Sequence, residues 1–306
     1  MDTRILITGA SGALGSAVCD ALLARGVEVV GLTRAPERAR ATNPTVTWHP
    51  WRATEERPPE AALDGVGAVV NLIGESLDQR LTPEAKERIR SSRVRATKNL
   101  VDGLAAAEPR PPVLVSQCGV DYYGDRGDAI VDESTPPGDD FLARLCVDWE
   151  QAALALAPSG VRVATLRTAP VLDPRSGLLK YLLLPFRLGV GGPLAGGSQF
   201  MPWIHRDELV AFVLWALDHD DVSGPLNAVA PEPITNREFS RALGRVLGRP
   251  ALVPVPKLAV AALRGRELAD AVLSSQRIVP RRALDLGYEF RFAELEPALR
   301  DLLGRA

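Results

Sequence analysis

The chain has 306 residues, with 36 basic and 38 acidic side chains, a net charge of −2, 46% hydrophobic and 24% charged residues. These values fit a soluble globular protein of one or two domains. They exclude a basic nucleic-acid footprint, and no apolar run reaches the ~18 residues of a membrane span.

Arg4–Thr8 (RILIT) predicts a first strand, followed by a glycine-rich turn over Gly9–Gly15. Leu14, Val18 and Leu22 recur at helical spacing and predict a helix over Ala13–Arg25, with Gly26 as its C-cap. Val27–Leu32, Thr45–Trp48 and Gly67–Ile73 predict three more strands. Pro83–Ala107 predicts a single helix, with Thr82 as N-cap and Pro83 in the first helical position. Val113–Ser116 predicts the fifth strand, Phe141–Leu156 a helix and Val161–Leu166 the sixth strand. Beyond residue 172 come a glycine-rich loop at Gly189–Gly197, helices over Glu208–Leu217 and Asn236–Leu247, and a proline-punctuated stretch at Pro250–Pro256.

Strands alternating with helices predict an α/β fold, a Rossmann-type doubly wound parallel sheet with a smaller C-terminal α+β lobe. The expected division is a dinucleotide-binding domain over 1–172, rejoined by 203–235, and a lobe built from 173–202 and 236–306. Cys19, Cys118 and Cys146 are widely spaced and form neither a metal-ligand pattern nor a disulfide framework. With no signal-peptide pattern ahead of the first strand, a reducing, cytoplasmic setting is expected.

The turn reads Thr8-Gly9-Ala10-Ser11-Gly12-Ala13-Leu14-Gly15, a G-x-x-G-x-x-G spacing between a strand and a helix. Glycines there let backbone approach a pyrophosphate, and the helix that follows offers free N–H groups and the positive end of its dipole. Gly15 lets helix and strand pack closely. At the end of the second strand, where NAD enzymes usually place an acid for the ribose 2′-hydroxyl, stand Thr33 and Arg34, with Arg38 one turn on. Arginine suits a 2′-phosphate, which predicts NADP (NADPH) in preference to NAD. The plainer reading is two surface arginines in a chain with 32 of them.

Six further stretches extend the pattern: Asn71–Glu75 (NLIGE), Ile89–Val94 (IRSSRV), Tyr122–Asp128 (YYGDRGD), Trp203–Asp207 (WIHRD), Gly224–Pro233 (GPLNAVAPEP) and Ser275–Pro280 (SQRIVP). On these the chain resembles the extended short-chain dehydrogenase/reductases, and within them an atypical NAD(P)-dependent epimerase family with a C-terminal domain of unknown function. The resemblance implies a Rossmann domain whose C-terminal lobe closes over the nicotinamide. It carries cofactor contacts to Gly9, Ser11, Gly12, Ala13, Leu14, Arg34, Leu72-Ile73-Gly74, Arg93, Ser116 and the stretch Thr168-Ala169-Pro170-Val171. Relatives in this superfamily often pair, so a monomer or a homodimer is expected.

Most members of the superfamily use a serine with a Tyr-x-x-x-Lys pair, in which lysine lowers the tyrosine pKa. None of the four tyrosines here has lysine four residues on, and aligning the helix through Trp149-Glu150 puts Leu142 and Cys146 at those positions. The remaining catalytic candidates are Ser116 at a strand end, Tyr122 with Arg126 four residues on, and Tyr123 in a tyrosine-glycine pair. Each has a plainer reading, as a strand-end serine bonded to backbone, a surface turn and a packed aromatic. Gln79, Trp203 and His205 are candidates for substrate contact, against a solvated loop, core filling and a structural histidine. Three histidines, His49, His205 and His219, predict no metal site. Gly189–Gly197 reads as a lid or as a connector. Two functions stay open, an NADP-dependent oxidoreductase or epimerase-like enzyme on a small carbonyl or alcohol, and a non-catalytic NADP(H)-binding sensor.

Overall fold

The computed structural model describes residues 4–305, apart from the side chains of Leu263 and Arg264. Seven strands make one parallel sheet: β1 Arg4–Thr8, β2 Val29–Thr33, β3 Thr47–Pro50, β4 Val66–Asn71, β5 Val113–Gly119, β6 Arg162–Thr168 and β7 Gly224–Ala228. Their order is β7-β6-β5-β4-β1-β2-β3. The winding reverses between β1 and β4, and the carboxyl ends of strands at such a reversal form the ligand crevice of open α/β sheets.

Alternating side chains divide the core between the two faces of the sheet. Ile5 and Ile7 of β1 pack on one side with Val18, Val70, Val115 and Phe212. Leu6 packs on the other with Val30, Val69, Leu100 and Leu114. The first face is covered by α1 (Ala13–Ala24), the second by α3 (Ala96–Ala106) and α4 (Phe141–Leu154), while Ile89 of α2 (Pro83–Arg90) packs with α4. After β6 the chain leaves the sheet through α5 (Gly177–Arg187), then returns through α6 (Arg206–Asp218), which covers the first face, to β7. It continues into α7 (Asn236–Leu247), α8 (Lys257–Arg264), α9 (Arg266–Val272) and α10 (Leu295–Leu302). A separate apolar cluster, including Leu179, Phe186, Trp203, Phe239, Phe292 and Leu299, holds α5, α7 and α10 together. Val171–Leu172 and Ile204–His205 pair in parallel where the chain leaves for this lobe and comes back.

Besides helices the sequence reading did not predict, such as α5 and α10, and strand bounds shifted by a residue or two, four findings bear on the site. The helix expected over Pro83–Ala107 is interrupted by a π-helical turn at Ser91–Arg95. The fifth strand runs three residues further, to Gly119. The edge strand β7 lacks any apolar alternation, since it opens Gly224-Pro225 and carries Asn227; a proline is tolerated at the start of an edge strand. The glycine-rich loop is tied to the lobe at two points: Ala195 N donates to Val255 O at 2.9 Å and Asn236 Oδ1 accepts from Leu194 N at 2.7 Å.

Candidate active site

Two connected hollows lie at the carboxyl ends of the strands. The first, about 940 Å³, is a groove lined by Gly9, Ser11, Gly12, Thr33, Arg34, Arg38, Leu72, Ile73 and Gly74. Backbone needs glycine here: Gly9 has φ +68, and a Cβ on it would stand 2.6 Å from Leu72 O. A Cβ on Gly15 would stand 2.2 Å from Gly9 O. No side chain caps α1 at Gly12, so its first-turn N–H groups and dipole are available to an anion. No acidic residue stands at the end of β2, and Arg34 and Arg38 are both exposed. This cradle fits a dinucleotide pyrophosphate, and Arg34 and Arg38 line the same groove.

Ala13, Leu14 and Gly15 form the first turn of α1 and do not line the groove. Sequence reasoning missed Asn43, Trp51, Arg52 and Thr54, which line its far side. They follow an irregular edge region around β3 with no motif of its own.

The second hollow, about 410 Å³, shares Leu72, Ile73 and Gly74 with the first. Its inner wall is Arg93, Cys118, Gly119, Asp121, Cys146, Trp149 and the Thr168-Ala169-Pro170-Val171 stretch. Its outer wall comes from the lobe, through Leu182, Phe186, Phe200, Met201, Phe239 and Leu268. Most of its surface is therefore apolar, with a few converging polar groups, as in small-molecule sites generally.

The π-turn carries Arg93 into this cavity. Its guanidinium lies 5.1 Å from the Trp149 ring, and a Cβ on Gly74 would stand 3.0 Å from its Cζ. Extra turns of this kind inside α-helices recur at functional sites. Gly119 ends β5 without a side chain, and this leaves room for two groups: a Cβ there would stand 3.4 Å from Cys146 Sγ and 3.5 Å from Asp121 Oδ2. Burial, helped by Asp140 and opposed by Arg93, pushes the Asp121 carboxyl up to about 6. A hydrogen bond with Cys118, together with burial, holds the Cys146 thiol well above its usual range. Leu142 and Cys146, at the Tyr-x-x-x-Lys positions, both line the cavity.

None of the three hydroxyls singled out in the sequence lines this cavity. Ser116 is buried and its Oγ accepts from Asn71 Nδ2 at 3.0 Å. Asn71 also donates to Thr97 Oγ1 at 3.0 Å and accepts from Thr8 Oγ1 at 2.7 Å, so the network braces β1, β4 and β5 beneath the site. Tyr123 is fully buried; its hydroxyl donates to Asn227 Oδ1 at 2.7 Å and accepts from Arg167 Nη1 at 2.8 Å. Burial raises its pKa. Tyr122 does not pair with Arg126. Its ring lies 3.5 Å from the Arg167 guanidinium, while Arg126 donates to the carbonyls of Tyr123, Pro136 and Pro137.

The substrate candidates also lie outside the lining. Gln79 bonds to Glu75 and Ser76 in its own loop and accepts from Arg88 of α2. Trp203 is buried in the lobe core, while its neighbours Met201 and Pro202 face the cavity. His205 caps α6 by accepting from Asp207 N at 3.0 Å, lies 3.2 Å from Asp301 and stacks on Phe292. Burial lowers its pKa. With Nδ1 accepting from Asp207 N, the proton sits on Nε2, on the side of Asp301.

Among proteins of known sequence, the epimerase family protein SDR39U1 of Bos taurus is 39% identical over 305 residues, covering 98% of this chain and 99% of the relative. The chloroplastic homolog of Arabidopsis thaliana is 38% identical over 301 residues, covering 98% and 86%. The crystal structure of human SDR39U1 (isoform 2) with NADPH superposes with a TM-score of 0.89 at 35% identity, covering 99% of this chain and 100% of that one. A domain of unknown function (DUF1731) matches residues 255–302. The NAD dependent epimerase/dehydratase family matches residues 5–228, and the chain belongs to it.

Proposed function

We propose that the protein is an NADP(H)-dependent oxidoreductase or epimerase-like enzyme acting on a small, largely apolar carbonyl or alcohol. In this reading residues 1–172 with 203–235 bind the dinucleotide, and the remaining lobe covers the substrate. The observation that carries it is the meeting of the glycine-cradled groove with the apolar cavity at Leu72-Ile73-Gly74. When bound, the dinucleotide supplies or accepts the hydride. The chain's own part is to orient: α1 and Gly9 to Gly12 hold the pyrophosphate, Arg34 and Arg38 the 2′-phosphate, and the lobe excludes water from the cavity.

Fluorescence titration with NADPH and NADH, followed by absorbance of the reduced cofactor against a panel of carbonyl compounds, tests this. Tight NADPH binding with turnover is expected. NADPH binding with no turnover on any compound would favour a sensor, and no binding of either cofactor would refute both readings. For Arg34→Ala the expected change is a Kd for NADPH raised about tenfold or more, from the loss of charge-assisted hydrogen bonds, with NADH affinity nearly unchanged. Equal weakening for the two cofactors would remove the 2′-phosphate role.

A further inference from the structure

With Leu142 and Cys146 at the Tyr-x-x-x-Lys positions, a proton donor for carbonyl reduction has to come from elsewhere on the cavity wall. Among the described residues, four titratable groups line it: Asp121, Arg93, Cys118 and Cys146. Cys118 Sγ lies 3.4 Å from Cys146 O, and the Cys146 thiol holds its proton too firmly to serve near neutral pH. Arg93 keeps its charge, as guanidinium does in proteins. Asp121 differs from all three. It follows β5 directly, in the 3₁₀ turn Val120–Tyr123, and its Oδ2 stands beside the side-chain-free Gly119.

We propose that Asp121 is the catalytic proton donor of this cavity, with Arg93 as the positioning cation in place of the missing lysine. The proposal rests on the oxidoreductase reading above. In the step, the Asp121 O–H bond breaks and its proton goes to the carbonyl oxygen. The carbonyl carbon gains hydride from the reduced nicotinamide, the C=O π bond breaks, and an alcohol and the oxidised cofactor result. Asp121 is left as a carboxylate and regains a proton from solvent. In the alcohol-oxidising direction the same carboxylate takes the proton.

The groups around Asp121 set this up. Arg93 of the π-turn lines the same cavity and Asp140 stands at the N-cap of α4, both acting on its charge, while Cys146 Sγ of α4 shares with it the space left beside Gly119. Burial and Asp140 disfavour the carboxylate, while Arg93 favours it. The balance puts the carboxyl at about 6, within the range in which a general acid can both give and regain its proton near neutral pH. Arg93 also stabilises the carboxylate formed by proton transfer, as lysine does for the tyrosinate.

The test uses the whole chain and two readouts. Infrared difference spectra of the cofactor-free protein are expected to show a protonated carboxyl band that titrates at a midpoint of about 6 and is missing from Asp121→Asn. Arg93→Met should move that midpoint upward. With NADPH and 1-phenyl-1,2-propanedione, or the best carbonyl of the panel, wild-type kcat should fall as Asp121 deprotonates. Asp121→Asn should lower kcat by about 10²–10⁴-fold and flatten the profile. A midpoint in the ordinary carboxylate range, or an Asn variant with wild-type kcat and pH profile, overturns the proposal. If the carboxyl titrates as expected but no carbonyl oxidises NADPH, the oxidoreductase reading fails and the catalytic role falls with it, while the unusual carboxyl stands.

Discussion

At the residue scale, the tyrosines and the serine illustrate how position and access differ. Tyr123, Arg167 and Glu150 form one buried network, with Arg167 Nη2 and Nε at 2.7 and 2.9 Å from the Glu150 oxygens. Both charged side chains are almost fully buried. Removing one partner of such a pair strands the other charge. Tyr123→Phe removes the hydroxyl between Arg167 and Asn227, and is expected to cost about 1–3 kcal/mol of stability, read by denaturant unfolding, while turnover per folded molecule stays within about twofold. A loss of kcat without a loss of stability would return Tyr123 to the chemistry. The residue types in Tyr122–Asp128 pointed to this neighbourhood, but sequence does not show which way a hydroxyl points. Asp121 lies one residue before the tyrosines, and a lone aspartate in a loop is ordinary in sequence until its place on the cavity wall is known.

At the scale of elements, most of the sheet was legible because its strands are apolar runs and its first turn is a glycine motif with a mechanical reason. The π-turn was not. Ser91–Arg95 fits the helical spacing on both sides, and one extra residue in the turn leaves no mark in composition. The lobe's contacts were equally hidden, since they come from segments far apart in sequence. Asn236 shows this: it opens α7 and its side chain ties down Leu194 in the glycine-rich loop. Asn236→Ala leaves that N–H unpaired, at a cost of about 1–3 kcal/mol. Hydrogen exchange at Leu194 to Gly197 should accelerate about 10- to 100-fold relative to the sheet amides, by the same energy. Unchanged exchange there would mean that the Val255 contacts hold the loop alone.

At the scale of the whole molecule, the lobe begins as an excursion between β6 and β7 and is completed by the chain after β7, so the fold closes only when the chain has come back to the sheet. Periodicity does not reveal this return, because β7 lacks alternation; the GPLNAVAPEP stretch marked it only through resemblance. Stability also carries the charge state of the site. The folded Asp121 pKa of about 6 lies above the ~3.9 of an unfolded aspartate, so its contribution is fully present below the unfolded value and is lost as pH rises through the folded one. Asp121→Asn should therefore gain in Tm over wild type between pH 4 and 7, by a few degrees, in scanning calorimetry. A difference independent of pH would mean an ordinary carboxyl.

The helix expected over Pro83–Ala107 owes its site to its length. One residue turns an α-helix by about 100°, so restoring regular geometry through Ser91–Arg95 would swing Arg93 out of the cavity with every side chain chemically intact. In the gene, loss of a single codon within that turn would disarm the site as surely as replacing the arginine, and would look, in composition and hydropathy, like no change at all.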